Sequence, residues 1–163
     1  LVELPKQRRT PDVQPTNFHA WHTTCKTCWR KSRIEWEVTV MQALVIDDSR
    51  AVRMLIGKIL REQGFGVHEA AHGQEALEQL QAHPDISLIL VDWNMPVMDG
   101  LEFIQRVRQV RAWDQIPIVM VTTETESEQV QRALTAGANE YVMKPFTPEV
   151  LVAKLALLGV YED

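Results

Sequence analysis

Between residues 43 and 158 the chain alternates short unbroken apolar runs with segments whose apolar residues recur every three or four positions. Ala43-Leu44-Val45-Ile46 is such a run. Ser49 then opens a helical repeat through Val52, Leu55, Ile56, Ile59 and Leu60, and Gly64 closes it, as glycine commonly does at a helix C-terminus. Phe65 to Ala70 reads as a second strand and Gln74 to Gln81 as a helix with Ala76, Leu77 and Leu80 on one face. Leu88 to Val91 is a third strand. Leu101, Ile104, Val107 and Val110 mark a third helix over 101–110, Ile116 to Val121 a fourth strand and Ser127 to Ala136 a fourth helix. Tyr141 to Met143 and Thr147 to Leu158 complete a fifth pair. Five strands alternating with five helices predict an α/β fold, a doubly wound parallel sheet with helices on both faces. Periodicity does not select the strand order, but in either common order ligands bind outside the carboxyl ends of the strands.

Those ends carry an unusual set of side chains. The first strand runs into Asp47-Asp48, the fourth into Thr122-Thr123 and the fifth into Lys144-Pro145. The third stands in SLILVDWNMPVMDG, residues 87 to 100, where the apolar run stops at Asp92. Taken singly, each has an ordinary reading. Asp92 could start a turn with Asn94, Pro96, Asp99 and Gly100, Asp-Asp could serve the dipole of the following helix, and Lys-Pro could be a solvated turn. Together at one sheet edge they form a site. Three clustered carboxylates repel, so at least one pKa rises unless a cation neutralises them. A hard divalent ion suits oxygen donors, and Mg²⁺ suits them best because it takes one or two carboxylates, keeps waters and accepts a phosphate oxygen. The pattern therefore predicts Mg²⁺-dependent phosphoryl chemistry.

Charge divides the chain. Residues 1 to 40 hold seven Lys/Arg against four Asp/Glu, a net of +3, and residues 41 to 163 hold ten against eighteen, a net of −8. The first 40 residues also contain both cysteines and three of the five tryptophans, without clean periodicity before Ile34. They read as an N-terminal extension, disordered or an upstream reading-frame artefact, with Met41 as the natural start. His19, His22, Cys25 and Cys28 are zinc-type ligands, but all four lie within ten residues and lack the loop that usually separates two ligand pairs. The acidic body argues against a nucleic-acid partner. No apolar run approaches the roughly 18 residues of a membrane span, and no secretory signal is present. Two cysteines three residues apart fit a reducing, cytoplasmic setting rather than a disulfide framework.

Four segments together carry a family resemblance: IDDS at 46 to 49, VDWNMPVMDG at 91 to 100, MVTTE at 120 to 124 and YVMKPF at 141 to 146. From about Gln42 to Val160 the chain resembles the receiver domains of two-component response regulators, most closely the stand-alone chemotaxis regulators of CheY type. The resemblance implies a (βα)5 flavodoxin-like sheet of order 2-1-3-4-5 over residues 41 to 163. It further implies that Asp92 accepts a phosphoryl group and that Asp48 binds Mg²⁺, with Asp47 in the same cluster and the backbone carbonyl of Asn94 as a further ligand. Thr122 would bond one phosphoryl oxygen and Lys144 another, the Lys144-Pro145 bond would be cis, Asn94 and Glu124 would tune the lifetime of the phosphate, and Tyr141 would turn from exposed to buried on activation. Thr123 departs from the small residue usual at its position.

The resemblance implies a CheA-like histidine kinase as donor, and no G-x-x-x-x-G-K-[ST] loop marks ATP as a direct one. The resemblance further implies a signalling switch rather than an enzyme acting on a free substrate, one that would catalyse its own phosphoryl transfer and its own dephosphorylation. Because the sequence ends after the fifth helix, output is expected through another protein; the resemblance implies a monomer that docks on the flagellar motor switch near Val130, Leu134, Tyr141 and Val150. Trp113, His68, His72 and His83 receive no chemical role. A phosphorelay intermediate or developmental single-domain regulator would use the same chemistry. A haloacid dehalogenase-type phosphatase would need an acid where Asn94 stands, and Asp47-Asp48 would repel the phosphate of a flavin.

Overall fold

Five parallel strands in the order β2-β1-β3-β4-β5 form the sheet. The computed structural model describes residues 40–123 and 127–160. In chain order the elements are β1 (Gln42–Ile46), α1 (Arg50–Glu62), β2 (Gly66–Ala70), α2 (Gly73–Ala82), β3 (Ile86–Asp92), α3 (Gly100–Gln109), β4 (Ile118–Thr122), α4 (Ser127–Ala136), β5 (Glu140–Met143) and α5 (Pro148–Leu157). This is the five-stranded flavodoxin-like order expected from the resemblance. Among the described residues no helix is long and apolar enough to cross a membrane. All of the proposed extension except Val40, including His19, His22, Cys25 and Cys28, lies outside the described residues.

Strand alternation sorts the core into two layers. Leu44, Ile46, Ile89, Val91, Ile118 and Met120 point to one face, where Ala76 and Leu80 of α2, Phe103, Ile104 and Val107 of α3 and Ala133 of α4 cover them. Ala43, Val45, Leu88, Leu90, Val119 and Val121 point to the other, under Ile56, Ile59 and Leu60 of α1 and Leu151 and Leu155 of α5. Buried on both faces, the central strands have no polar position to spare, which is why they read as unbroken apolar runs.

Of the boundaries that differ from the sequence reading, two do so for clear local reasons. Proline has no N–H to give the ladder, so β4 begins at Ile118 rather than Ile116; Pro117 instead lends its carbonyl to the Ile89 N–H at 2.9 Å. Val110 has left the helix and is exposed, with an extended ψ of 110°. The predicted stop after α1 holds: Gly64 adopts φ 88°, its N–H reaches the Arg61 carbonyl, and the Phe65 N–H reaches Leu60. Those two bonds define a Schellman ending, which needs a residue tolerant of positive φ.

Candidate functional site

The register of the parallel ladder carries the polar strand ends to one place. Ile46 lies opposite Val91, Asp92 opposite Val121, and Thr122 opposite Met143. One residue beyond these pairs stand Asp47 and Lys144. The last step is fixed by the backbone, because the Lys144 N–H donates to the Thr122 carbonyl at 2.7 Å. The Lys144-Pro145 peptide is cis, as the resemblance implied.

The Lys144 ammonium sits between two acids, 2.6 Å from Asp47 Oδ2 and 2.8 Å from Asp92 Oδ1. Asp47 is 1% and Asp92 7% exposed, whereas Asp48 faces solvent. One carboxylate oxygen from each of the three aspartates lies within 4.8 Å of the others. Three carboxylates and one ammonium leave two negative charges in a small volume, a donor set that fits a hard divalent cation.

Electrostatics agree with the crowding. Burial raises the Asp92 carboxyl above its ordinary range; the Lys144 hydrogen bond and charge pull it back, the charge of Asp47 pushes it up again, and burial prevails. For Lys144, burial alone would lower the pKa. The hydrogen bonds and charges of Asp47 and Asp92 outweigh it and hold the ammonium above its usual value. The lysine therefore remains charged at neutral pH, and Asp92 is the group that bears the strain of the cluster.

The loops around the site are built to hold it. Asp47 Oδ1 accepts the Ser49 N–H at 2.8 Å, so Asp47, rather than the Ser49 hydroxyl, organises the entry to α1. Arg53 donates to the Asp47 carbonyl at 2.6 Å and to Glu69 at 3.3 Å. No motif singled it out, although a cation in the first turn beside the strand ends was a usable signal. Asp99 caps α3 by accepting the Glu102 N–H at 2.8 Å. A Cβ on Gly100 would lie 2.2 Å from the Asp92 carbonyl oxygen, so the glycine that read as a turn former is the point where α3 approaches β3. Val97, 80% exposed, adopts φ 68°, a left-handed conformation that is unfavourable for a β-branched residue.

The structure thus brings Asp47, Asp48, Asp92 and Lys144 together. Thr122 is buried at the end of β4, and Asn94 is exposed in the loop after β3. Glu124 lies outside the described residues. Tyr141 is half-buried at the sheet edge and packs on the first core layer. On the expected docking face, Leu134 and Val150 are exposed and Val130 is half-buried; Met143, which the sequence reading did not include, is exposed beside them. His72 caps α2 by accepting the Glu75 N–H at 3.2 Å, the His68 and His83 rings stack at 4.0 Å, and Trp113 packs against the core.

Comparison with known proteins agrees with this geometry. The response regulator receiver domain matches residues 43–156. Chemotaxis protein CheY1 of Helicobacter pylori is 45% identical over 119 residues, covering 72% of this chain and 96% of that relative. The CheY homolog of Campylobacter jejuni is 46% identical over 116 residues, 71% of this chain and 89% of its own. Among solved structures, CheY4 of Vibrio cholerae superposes with a TM-score of 0.69 at 38% identity, covering 72% of this chain and 98% of that one. The chain belongs to the response regulator receiver family, whose members are phosphorylation-dependent signalling switches.

Proposed function

We propose that the chain is a chemotaxis-type regulator in which Asp92 takes a phosphoryl group from a phosphohistidine on a CheA-like kinase. The modified chain then binds the flagellar motor switch with altered affinity. The observation that carries this reading is the Lys144 ammonium held between Asp47 and Asp92 at the carboxyl edge of the sheet. The identity to two chemotaxis proteins across most of their length supports the choice of pathway.

In the transfer an Asp92 carboxylate oxygen forms a bond to phosphorus while the phosphorus–nitrogen bond breaks. The departing electron pair stays on the imidazole nitrogen, which takes up a proton. The protein's share is placement and charge neutralisation. Lys144 supplies one positive charge at a fixed position, and the Thr122 hydroxyl offers a hydrogen bond to a phosphoryl oxygen. Asp47, Asp48, Asp92 and the Asn94 carbonyl would hold Mg²⁺, which when bound offsets charge on the transferring oxygens. Hydrolysis reverses the modification: water attacks phosphorus, the bond to Asp92 breaks, and the carboxylate returns. Asn94 and Glu124 set the lifetime of the phosphate. A phosphoryl group brings about −1.5 to −2 charges, which draws Thr122 and its loop inward and turns the Tyr141 ring toward the interior.

The test is capture of partners from lysate of the source cells, using the full chain with Mg²⁺ and beryllofluoride as phosphoryl mimic beside an Asp92→Asn bait. Enrichment of the motor-switch protein on the activated wild type alone is the expected result. Capture of a histidine phosphotransferase or developmental kinase instead would replace this reading with a phosphorelay. Equal capture by both baits would show that the acidic pocket does not control binding.

A further inference from the structure

β5 is an edge strand, and among the described residues no strand takes up its outer hydrogen-bonding groups. One carboxylate oxygen of Glu140 does part of that work: Oε1 accepts the Tyr141 N–H at 2.9 Å and the Lys154 ammonium at 3.0 Å. The same ammonium lies 5.1 Å from the centre of the Tyr141 ring. Tyr141 packs on one face of the sheet, while α5, which carries Lys154, packs through Leu151 and Leu155 on the other. Lys154 therefore reaches around the open edge, anchored by Glu140 and resting against the ring. Backbone, carboxylate, ammonium and ring form a closed loop of contacts within two elements.

We infer that Lys154, anchored by Glu140, is a positioning residue that holds Tyr141 at the sheet edge in the resting state. The inference rests on Tyr141 as the switch residue, since a ring held against a charge at the edge must leave that charge in order to turn inward. A cation–π contact at a partly exposed site changes such an equilibrium by about two- to fivefold. Lys154 thus limits how often the ring turns inward without a phosphoryl group. Glu140 takes part twice, fixing the ammonium and the backbone of the residue that moves.

The experiment is ¹⁹F NMR of the full chain labelled with 3-fluorotyrosine. Two tyrosines, Tyr141 and Tyr161, give two signals, and Tyr141→Phe assigns them. Addition of Mg²⁺ and beryllofluoride to the wild type defines the activated limit. In Lys154→Met the resting signal is expected to lie further toward that limit, the inward-to-outward ratio rising about two- to fivefold. Lys154→Arg, which keeps the charge over the ring, should restore the wild-type position, and Glu140→Gln should shift it partway. A general loss of stability would not be rescued by arginine. A wild-type signal that moves on activation, with Lys154→Met at the wild-type resting position, would overturn the latch alone. A wild-type signal indifferent to beryllofluoride would overturn the switch role of Tyr141 and the latch with it.

Discussion

Replacing Lys144 by methionine tests the electrostatic argument at its centre. The side chain keeps its length and loses its charge, removing two hydrogen bonds of 2.6 and 2.8 Å from carboxylates that solvent barely reaches. Asp47 and Asp92 then face each other with ligand oxygens no more than 4.8 Å apart. At an effective dielectric of about 20, two unit charges at that separation repel by roughly 3–4 kcal/mol. Removing one partner of a buried ion pair generally costs about 3–5 kcal/mol. The fold has one escape, protonation of Asp92, whose carboxyl already sits above its ordinary range because it is buried. A carboxyl pKa raised by folding gives stability that is complete below the unfolded value and is lost as pH rises through the folded one. Lys144→Met moves that folded value further up. Its deficit relative to wild type should therefore be about 3–5 kcal/mol at pH 7.5 and smaller at a lower pH, where Asp92 takes up its proton. Urea unfolding followed by tryptophan fluorescence at the two pH values measures it. Adding Asp92→Asn to Lys144→Met should restore most of the loss at pH 7.5, since the double variant buries one charge rather than two. A deficit equal at both pH values, or one that Asp92→Asn deepens, would refute the reasoning and leave packing as the cause.

Three further outcomes follow from single residues. Gly100→Ala should push α3 away from β3, because its Cβ would meet the Asp92 carbonyl at 2.2 Å; overpacking of this kind costs about 1–3 kcal/mol, and the rate of phosphorylation by a small-molecule phosphodonor should fall more than the melting temperature implies. Val97→Asn should stabilise the chain by about 1 kcal/mol in urea unfolding, since asparagine tolerates the φ of 68° that valine resists. Arg108 donates to the carbonyls of Gly137, Trp113, Asp114 and Ile116 and to Asn139 Oδ1. Arg108→Lys cannot span that set from one planar group, so it should lower stability by about 2–3 kcal/mol in the same assay and leave the phosphorylation rate of the folded fraction unchanged.

The strand–helix order was legible because burial on both faces leaves β1, β3 and β4 almost no polar positions, while each helix needs only one apolar face. The acidic residues were legible for the same reason: a carboxylate ending a doubly buried strand contradicts its surroundings. What escaped the sequence depends on contacts between distant residues. Nothing local marks Arg108 as the tie between the end of α3 and the loop before β5, 29 residues on. Gly100 reads as one more turn residue until α3 is laid against the end of β3. Ile116 belongs by composition to β4 and is excluded because the next residue, a proline, has no N–H to give the ladder.

The magnitudes also decide how the two ends of the proposed switch divide their work. The Lys154 contacts are partly exposed, so an ion pair and a cation–π contact there together amount to about 1–2 kcal/mol. A phosphoryl group on Asp92 would place about −1.5 to −2 charges beside the Lys144 ammonium, where a single unit charge at 4 Å and an effective dielectric of 20 is already worth about 4 kcal/mol. Moving a two-state equilibrium from 1:99 to 99:1 takes about 5.5 kcal/mol of differential interaction, a size open to the second only through the part that differs between the two ring positions and far beyond the first. The Glu140–Lys154–Tyr141 loop can therefore set the resting leak but cannot resist activation. Wild type and Lys154→Met should differ when unmodified and converge once the acidic pocket is saturated with the phosphoryl mimic.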